Sequence, residues 1–244
     1  FSLRLSGTDT VTIVTPSVPA FIRDMDPPPA VDISDADTVV EGEASIFRLT
    51  LPGPSDDTIK VVVATRDVTA KSGVNYAGIA RDTVMFLPER TSLTLPVATL
   101  EDSLFDTLLT YQARLLDVLD DFAVLGDSVG DAWISESGPT PWVVWAKTLD
   151  TVREDVRPDS VSFPVRLSRK VAFPFTLPVR LDTAFVPELN RARSNNFRLI
   201  DPVVRFPAAT EQVDWWIRIL DDGISTENKR LPMRWSDADT DGTP

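Results

Sequence analysis

The chain is constrained most by a pattern that it writes more than once. Leu100-Glu101-Asp102-Ser103-Leu104-Phe105-Asp106 leads into Tyr111-Gln112-Ala113-Arg114-Leu115, and Leu220-Asp221-Asp222-Gly223-Ile224 leads into Leu231-Pro232-Met233-Arg234-Trp235. The second half occurs a third time as Phe1-Ser2-Leu3-Arg4-Leu5. In each copy apolar and polar residues alternate, and Arg4, Arg114 and Arg234 hold the same place. Alternation with period two is what a strand with one buried face requires. An acidic turn ahead of that strand, met twice, and a spacing of roughly 110–120 residues predict an array of repeated β domains.

The rest of the chain divides accordingly. Residues 1–26 are expected to be the C-terminal strands of a truncated repeat: Phe1 to Leu5, Val11 to Val14 and Ala20 to Ile22. Pro27-Pro28-Pro29 makes a stiff linker that interrupts both helix and ladder. Residues 30–137 read as one complete repeat, in which Phe47, Leu49 and Leu51 alternate along one strand and Leu93, Leu95 and Val97 along another. Residues 138–244 read as a divergent repeat lacking its last strand, with Phe163, Val165 and Leu167 answering the first set and Val213, Trp215 and Ile217 the second. About seven short strands per unit, turn signals between them and no amphipathic helix predict an all-β chain of tandem immunoglobulin-like sandwiches. The leucines between Leu104 and Leu119 invite a helix, but their match to the alternating strands at Phe1 and Leu231 favours a strand. The register of the cut suggests two origins for the N-terminal piece: a part of a longer polypeptide, or a strand donated between subunits.

Composition narrows the chemistry. Apolar residues make up 43% of the 244, enough for sandwich cores, and none of their runs approaches the roughly 20 residues of a membrane helix. The formal charge of −13 and the lack of a basic stripe argue against nucleic acid as a partner. Cysteine and histidine are both absent, which removes thiolate chemistry, the Ser-His-Asp arrangement and the commonest zinc ligand. No carboxylate pair stands out as an acid and base from the acidic background, so an enzyme is not expected.

Taken together, Glu41-Gly42, the loop Asp67…Ala70…Gly73…Asn75-Tyr76, Phe86-Leu87-Pro88-Glu89 and Leu100-Glu101-Asp102 resemble the Calx-β domain, an immunoglobulin-like unit of sodium–calcium exchangers and large surface proteins. Arg23-Asp24-Met25-Asp26 is similar to the family's terminal aspartate cluster. The resemblance implies calcium at one end of each sandwich. Carried over by position, the candidate ligands of the complete repeat are Glu41, Asn75, Glu101, Asp102, Asp106 and Glu136. Those of the last repeat are Glu154, Asn196, Asp221, Asp222 and Glu227, while Asp24 and Asp26 would complete a site of the preceding one. Asn75 and Asn196 stand where the family carries Asp, and loss of charged ligands lowers calcium affinity, so one weak ion per repeat is expected.

The function expected from this is a non-enzymatic structural segment of a long extracellular surface protein, adhesin or filament. Its partners would be neighbouring repeats of the same protein, with self-assembly into a fibre, and its joints would be stiffened by calcium. The alternative is a calcium sensor or ligand-binding module whose interdomain angle follows the ion. Trp215 and Trp235 are expected in the core and Trp216 on the surface, and Arg4, Arg114 and Arg234 are expected to face outward towards cross-strand carboxylates.

Overall fold

The computed structural model describes residues 2–7, 14, 17–21, 23, 25–119, 121–147, 151–153, 159–181, 192, 196–224, 228–231 and 233–235. Alternating apolar positions and β-branched runs give eighteen strands and no helix among them, so the chain is all-β. A hairpin, β1 (Ser2–Arg4) and β2 (Ser17–Pro19), comes first. There follow β3 (Ala30–Ile33), β4 (Val39–Val40), β5 (Ala44–Thr50), β6 (Ile59–Asp67), β7 (Asp82–Phe86), β8 (Ser92–Ala98), β9 (Leu109–Val118), β10 (Val124–Leu125) and β11 (Val129–Ser135). The remainder is β12 (Val143–Trp145), β13 (Ser160–Leu167), β14 (Phe175–Leu181), β15 (Phe197–Leu199), β16 (Val203–Phe206), β17 (Gln212–Ile219) and β18 (Met233–Trp235).

Two sheets, in the orders β10-β3-β5-β8 and β4-β11-β9-β6-β7, face each other and enclose the first core. The alternation read from the sequence is the reason: Phe47, Leu49 and Leu51 on one sheet and Tyr111, Ala113 and Leu115 on the other all point inward and are buried. Full burial of each large apolar side chain stabilises by roughly 1.5–3 kcal/mol. Tyr76 stacks on Tyr111 with ring centroids 4.1 Å apart, and its hydroxyl donates to Asp67 Oδ1 at 2.8 Å, which ties the 67–76 loop to the core. Within the 104–119 stretch no helix forms: Leu109–Val118 is a strand, with every second side chain from Leu109 to Leu115 buried, and the residues before it belong to the acidic turn.

Two further sheets, β12-β13-β17-β15 and β16-β14-β18, enclose a second core that includes Val165, Leu167, Val179, Phe206, Trp215 and Ile217. The pairing of β13 with β17, with Phe163 opposite Trp215 and Val165 opposite Val213, reproduces that of β5 with β8, where Phe47 lies opposite Leu95 and Leu49 opposite Leu93. The hairpin also repeats a register. Arg4 pairs with Ser17 and Leu3 with Val18, as Arg114 pairs with Val129 and Ala113 with Gly130.

Three details differ from the sequence reading. The strand expected at Ala20 to Ile22 lies earlier, at Ser17–Pro19, while residues 8–13 and Ile22 fall outside the described residues. Leu3 and Leu5, expected on a buried face, are each 66% exposed, since among the described residues no second layer covers the two-stranded sheet. Arg4 is exposed as expected and Arg114 half-buried, but the ion pairs found among described residues, such as Arg218–Asp159 and Arg166–Glu211, use other arginines.

Candidate metal centre

At one end of the first sandwich, two neighbouring strands of one sheet end side by side. β4 runs parallel to the end of β11, with Val40 beside Ser135, and the Glu41 N–H continues the ladder to the Ser135 carbonyl at 3.0 Å. The chain then turns through Gly42, whose φ of +86° is the left-handed conformation that glycine adopts without strain. This delivers Glu41 and Glu136 to the same corner. Opposite them comes the acidic turn between β8 and β9. Asp102 Oδ1 accepts the Leu104 N–H at 2.7 Å, an aspartate turn that folds the segment back on itself.

Carboxylate oxygens of Glu41, Asp102 and Asp106 lie within 4.8 Å of one another. Glu41 is only 6% exposed, and its Oε2 has no hydrogen-bond partner. Buried polar atoms are almost always paired, and a buried carboxylate without compensation is costly. Burial is the largest cause raising the Glu41 pKa to about 7, followed by the charges of Glu136, Asp102 and Asp106, with Arg169 opposing. Burial, then Asp102 and Glu136, also pushes the Asp106 carboxyl up. A cluster of this kind is short of positive charge.

Glu136 is arranged differently. Its Oε2 accepts the Asp106 N–H at 3.0 Å, while its Oε1 accepts the Gly138 N–H at 3.0 Å and a hydrogen bond from Arg169 Nη1 at 2.7 Å. Burial raises its pKa, but these bonds and the guanidinium charge outweigh it, and the net shift is downward. Arg169 belongs to the turn after β13, and its Nη2 also donates to the Leu104 carbonyl at 2.7 Å. Beside it, Phe105 forms a parallel bridge with Val171: its N–H donates to the Lys170 carbonyl, and its carbonyl accepts the Ala172 N–H. The acidic turn of the first sandwich is thus docked against the second. Sequence reading missed Arg169 and Gly138. A signal exists, since the turn written Pro52-Gly53-Pro54 after Leu51 becomes Ser168-Arg169-Lys170 after Leu167.

The other candidates fall outside the cluster. Glu101 is exposed, and Asn75 is buried with its Oδ1 accepting the Lys71 N–H at 2.9 Å. In the second sandwich Asn196 Nδ2 donates to Asp222 Oδ2 at 2.9 Å. Asp222 Oδ1 accepts the Ile224 N–H, the bond that Asp102 makes to Leu104, and Asp221 Oδ1 accepts the Gly223 N–H. The Leu220 N–H donates to the Asn196 carbonyl as the Leu100 N–H does to that of Asn75, so the turn geometry recurs. Among the described residues, Glu41, Asp102 and Asp106 form the single group of three carboxylates close enough to share an ion. Asp26 is exposed, and Asp24, Glu154 and Glu227 lie outside the described residues.

The donors fit a hard divalent cation. They are carboxylate oxygens drawn from two irregular segments, in a chain without histidine or cysteine, and the orphaned Glu41 Oε2 is left without compensation by the protein alone. Calcium accepts six to eight oxygens in flexible geometry, whereas magnesium demands a near-ideal octahedron.

No family model and no curated protein matches this chain. Solved structures similar to it include the apo-form Calx CBD1 domain, which is 17% identical over 45% of this chain and 99% of that one, with a TM-score of 0.40. The calcium-binding domain CBD12 of CALX1.1 is 14% identical over 76% of this chain and 74% of that one, with a TM-score of 0.42. CBD12 from CALX1.2 is 13% identical over 78% and 76%, with a TM-score of 0.41. The structural neighbours of this chain are Calx-β domains.

Proposed function

We propose that this chain is a non-enzymatic segment of tandem β-sandwiches, divided at about residues 27–29 and 138, from a long extracellular surface protein, adhesin or filament. Its cargo is one calcium ion held at the end of the first sandwich by Glu41, Asp102 and Asp106. The observation that carries the calcium reading is the Glu41 carboxylate, buried with an unpartnered oxygen beside two further carboxylates. A bound divalent ion would neutralise the three charges and tie the β4–β11 corner to the acidic turn. The partners are adjacent sandwiches of the same protein, as the docking of Phe105 on Val171 suggests. That docking also favours a stiff rod over a sensor whose interdomain angle follows the ion.

Thermal unfolding tests this. An ion that binds only the folded state raises the midpoint by mass action. Millimolar calcium should raise it, the same concentration of magnesium should raise it less, and Glu41→Gln with Asp102→Asn should abolish the rise. Equal midpoints in calcium and chelator would remove calcium from the function and leave a plain spacer.

A further inference from the structure

The cluster at the joint contains four carboxylates, and one of them already has its cation. Both oxygens of Glu136 are occupied, by Arg169 and two backbone N–H groups. The pair is largely desolvated, with side-chain exposures of 22% for Arg169 and 9% for Glu136. Arg169 reaches this corner from the second sandwich. It is aimed by its bond to the Leu104 carbonyl and by the adjacent Phe105–Val171 bridge, and it crosses the space that Gly138 leaves open. A Cβ on Gly138 would stand 2.1 Å from Arg169 Nη1.

From this geometry we infer that Arg169 is a tethered cation of the joint. It takes the share of the acidic cluster that a second divalent ion would otherwise neutralise, and so limits the cluster to one. The charges agree: four carboxylates set against one guanidinium and one divalent ion leave a single negative charge, whereas a second divalent ion would make the corner positive. A guanidinium is always charged and satisfies two acceptors at once, here a carboxylate and a carbonyl, so it fixes the docking of the two sandwiches whether or not an ion is present. The inference rests on the calcium reading for the number of ions, but not for the pairing itself.

Native mass spectrometry and calorimetry with calcium chloride on the full chain test it, with Glu41→Gln to identify ions held by this cluster. The wild type should hold one Glu41-dependent ion. Arg169→Gln should hold two, or hold one about tenfold more tightly, since a positive charge beside the cluster opposes the binding of a cation. Arg169→Lys keeps the charge and should stay near the wild type. Gly138→Ala, which displaces the guanidinium without altering charge, should shift in the same direction as Arg169→Gln and serves if that variant does not fold. Unchanged count and affinity in both Arg169→Gln and Gly138→Ala would overturn the inference. A wild type with no Glu41-dependent ion would overturn the calcium reading alone if Arg169→Gln then acquires one, because Arg169 would be replacing even the first. Absence of binding in both would overturn the two together.

Discussion

Glu41 shows how one residue carries opposite consequences for stability and binding. Its folded pKa of about 7 lies above the ordinary value of 4.5, so between these values the folded chain keeps a proton that the unfolded chain has lost. Stability in chelator should therefore be fully present below about pH 4.5 and fall as pH rises towards 7, by on the order of 2–3 kcal/mol from this group. Denaturant titrations at pH 5 and pH 7.5 measure the fall, and Glu41→Gln, which has no proton to lose, should flatten it. Calcium binding must expel the same proton. Its apparent affinity should rise with pH across that window, and calorimetry in buffers of different ionisation enthalpy should register proton release. An affinity independent of pH would mean that Glu41 is not a ligand.

Close approach governs the strands that build the corner. β11 passes β3 and β5 so tightly that a Cβ on Gly130 would meet the Ser34 carbonyl oxygen at 2.6 Å and Phe47 Cδ1 at 3.0 Å. The first of these is backbone and cannot swing aside. Gly130→Ala should therefore destabilise by about 1–3 kcal/mol, read as a lower midpoint in chemical denaturation, and should loosen the β4–β11 pair that presents Glu41. In the second sandwich Trp215 is buried, and its Nε1–H donates to the Asp201 carbonyl at 2.7 Å. Trp215→Phe keeps most of the apolar area but orphans that carbonyl, at about 1–3 kcal/mol. If the two cores unfold independently, differential scanning calorimetry should show that Trp215→Phe lowers one transition and Gly130→Ala the other. A single transition moved equally by both would mean that the docked joint makes them one cooperative unit. Both positions illustrate what pattern can tell: alternation placed Trp215 inward, but nothing in the identity of Gly130 announced the carbonyl it faces.

At the scale of the molecule, the joint rests on backbone pairing at Phe105 and on the Arg169–Glu136 pair. Neutralising Glu136 removes the carboxylate that accepts from Arg169 Nη1 and frees the guanidinium to turn towards the remaining carboxylates of the corner, whose charges also act on it. Glu136→Gln should therefore loosen the joint more than any surface substitution. Spin labels placed on β7 and β16 should report a broader distance distribution in Glu136→Gln than in the wild type, in calcium and in chelator alike. An unchanged distribution would assign the docking to the Phe105–Val171 bridge alone.

The sequence determined the parts that depend on periodicity and local chemistry. Alternation with period two requires strands and names the faces that bury Phe47, Leu49, Tyr111 and Trp215, because a pleated backbone sends successive side chains to opposite sides. The aspartate turns at Asp102 and Asp222 were legible for a similar reason, since they bond within two residues of themselves. Only the tertiary structure decided which carboxylates share a corner. Glu41, Asp102 and Asp106 meet because β4 pairs with the end of β11 while the 100–106 turn folds over them, and Glu101, one residue from Asp102, points to solvent. It also decided that Glu136 faces Arg169 across 33 residues of sequence, since a charge pair between two sandwiches is set by the shapes that dock and leaves no period in the chain.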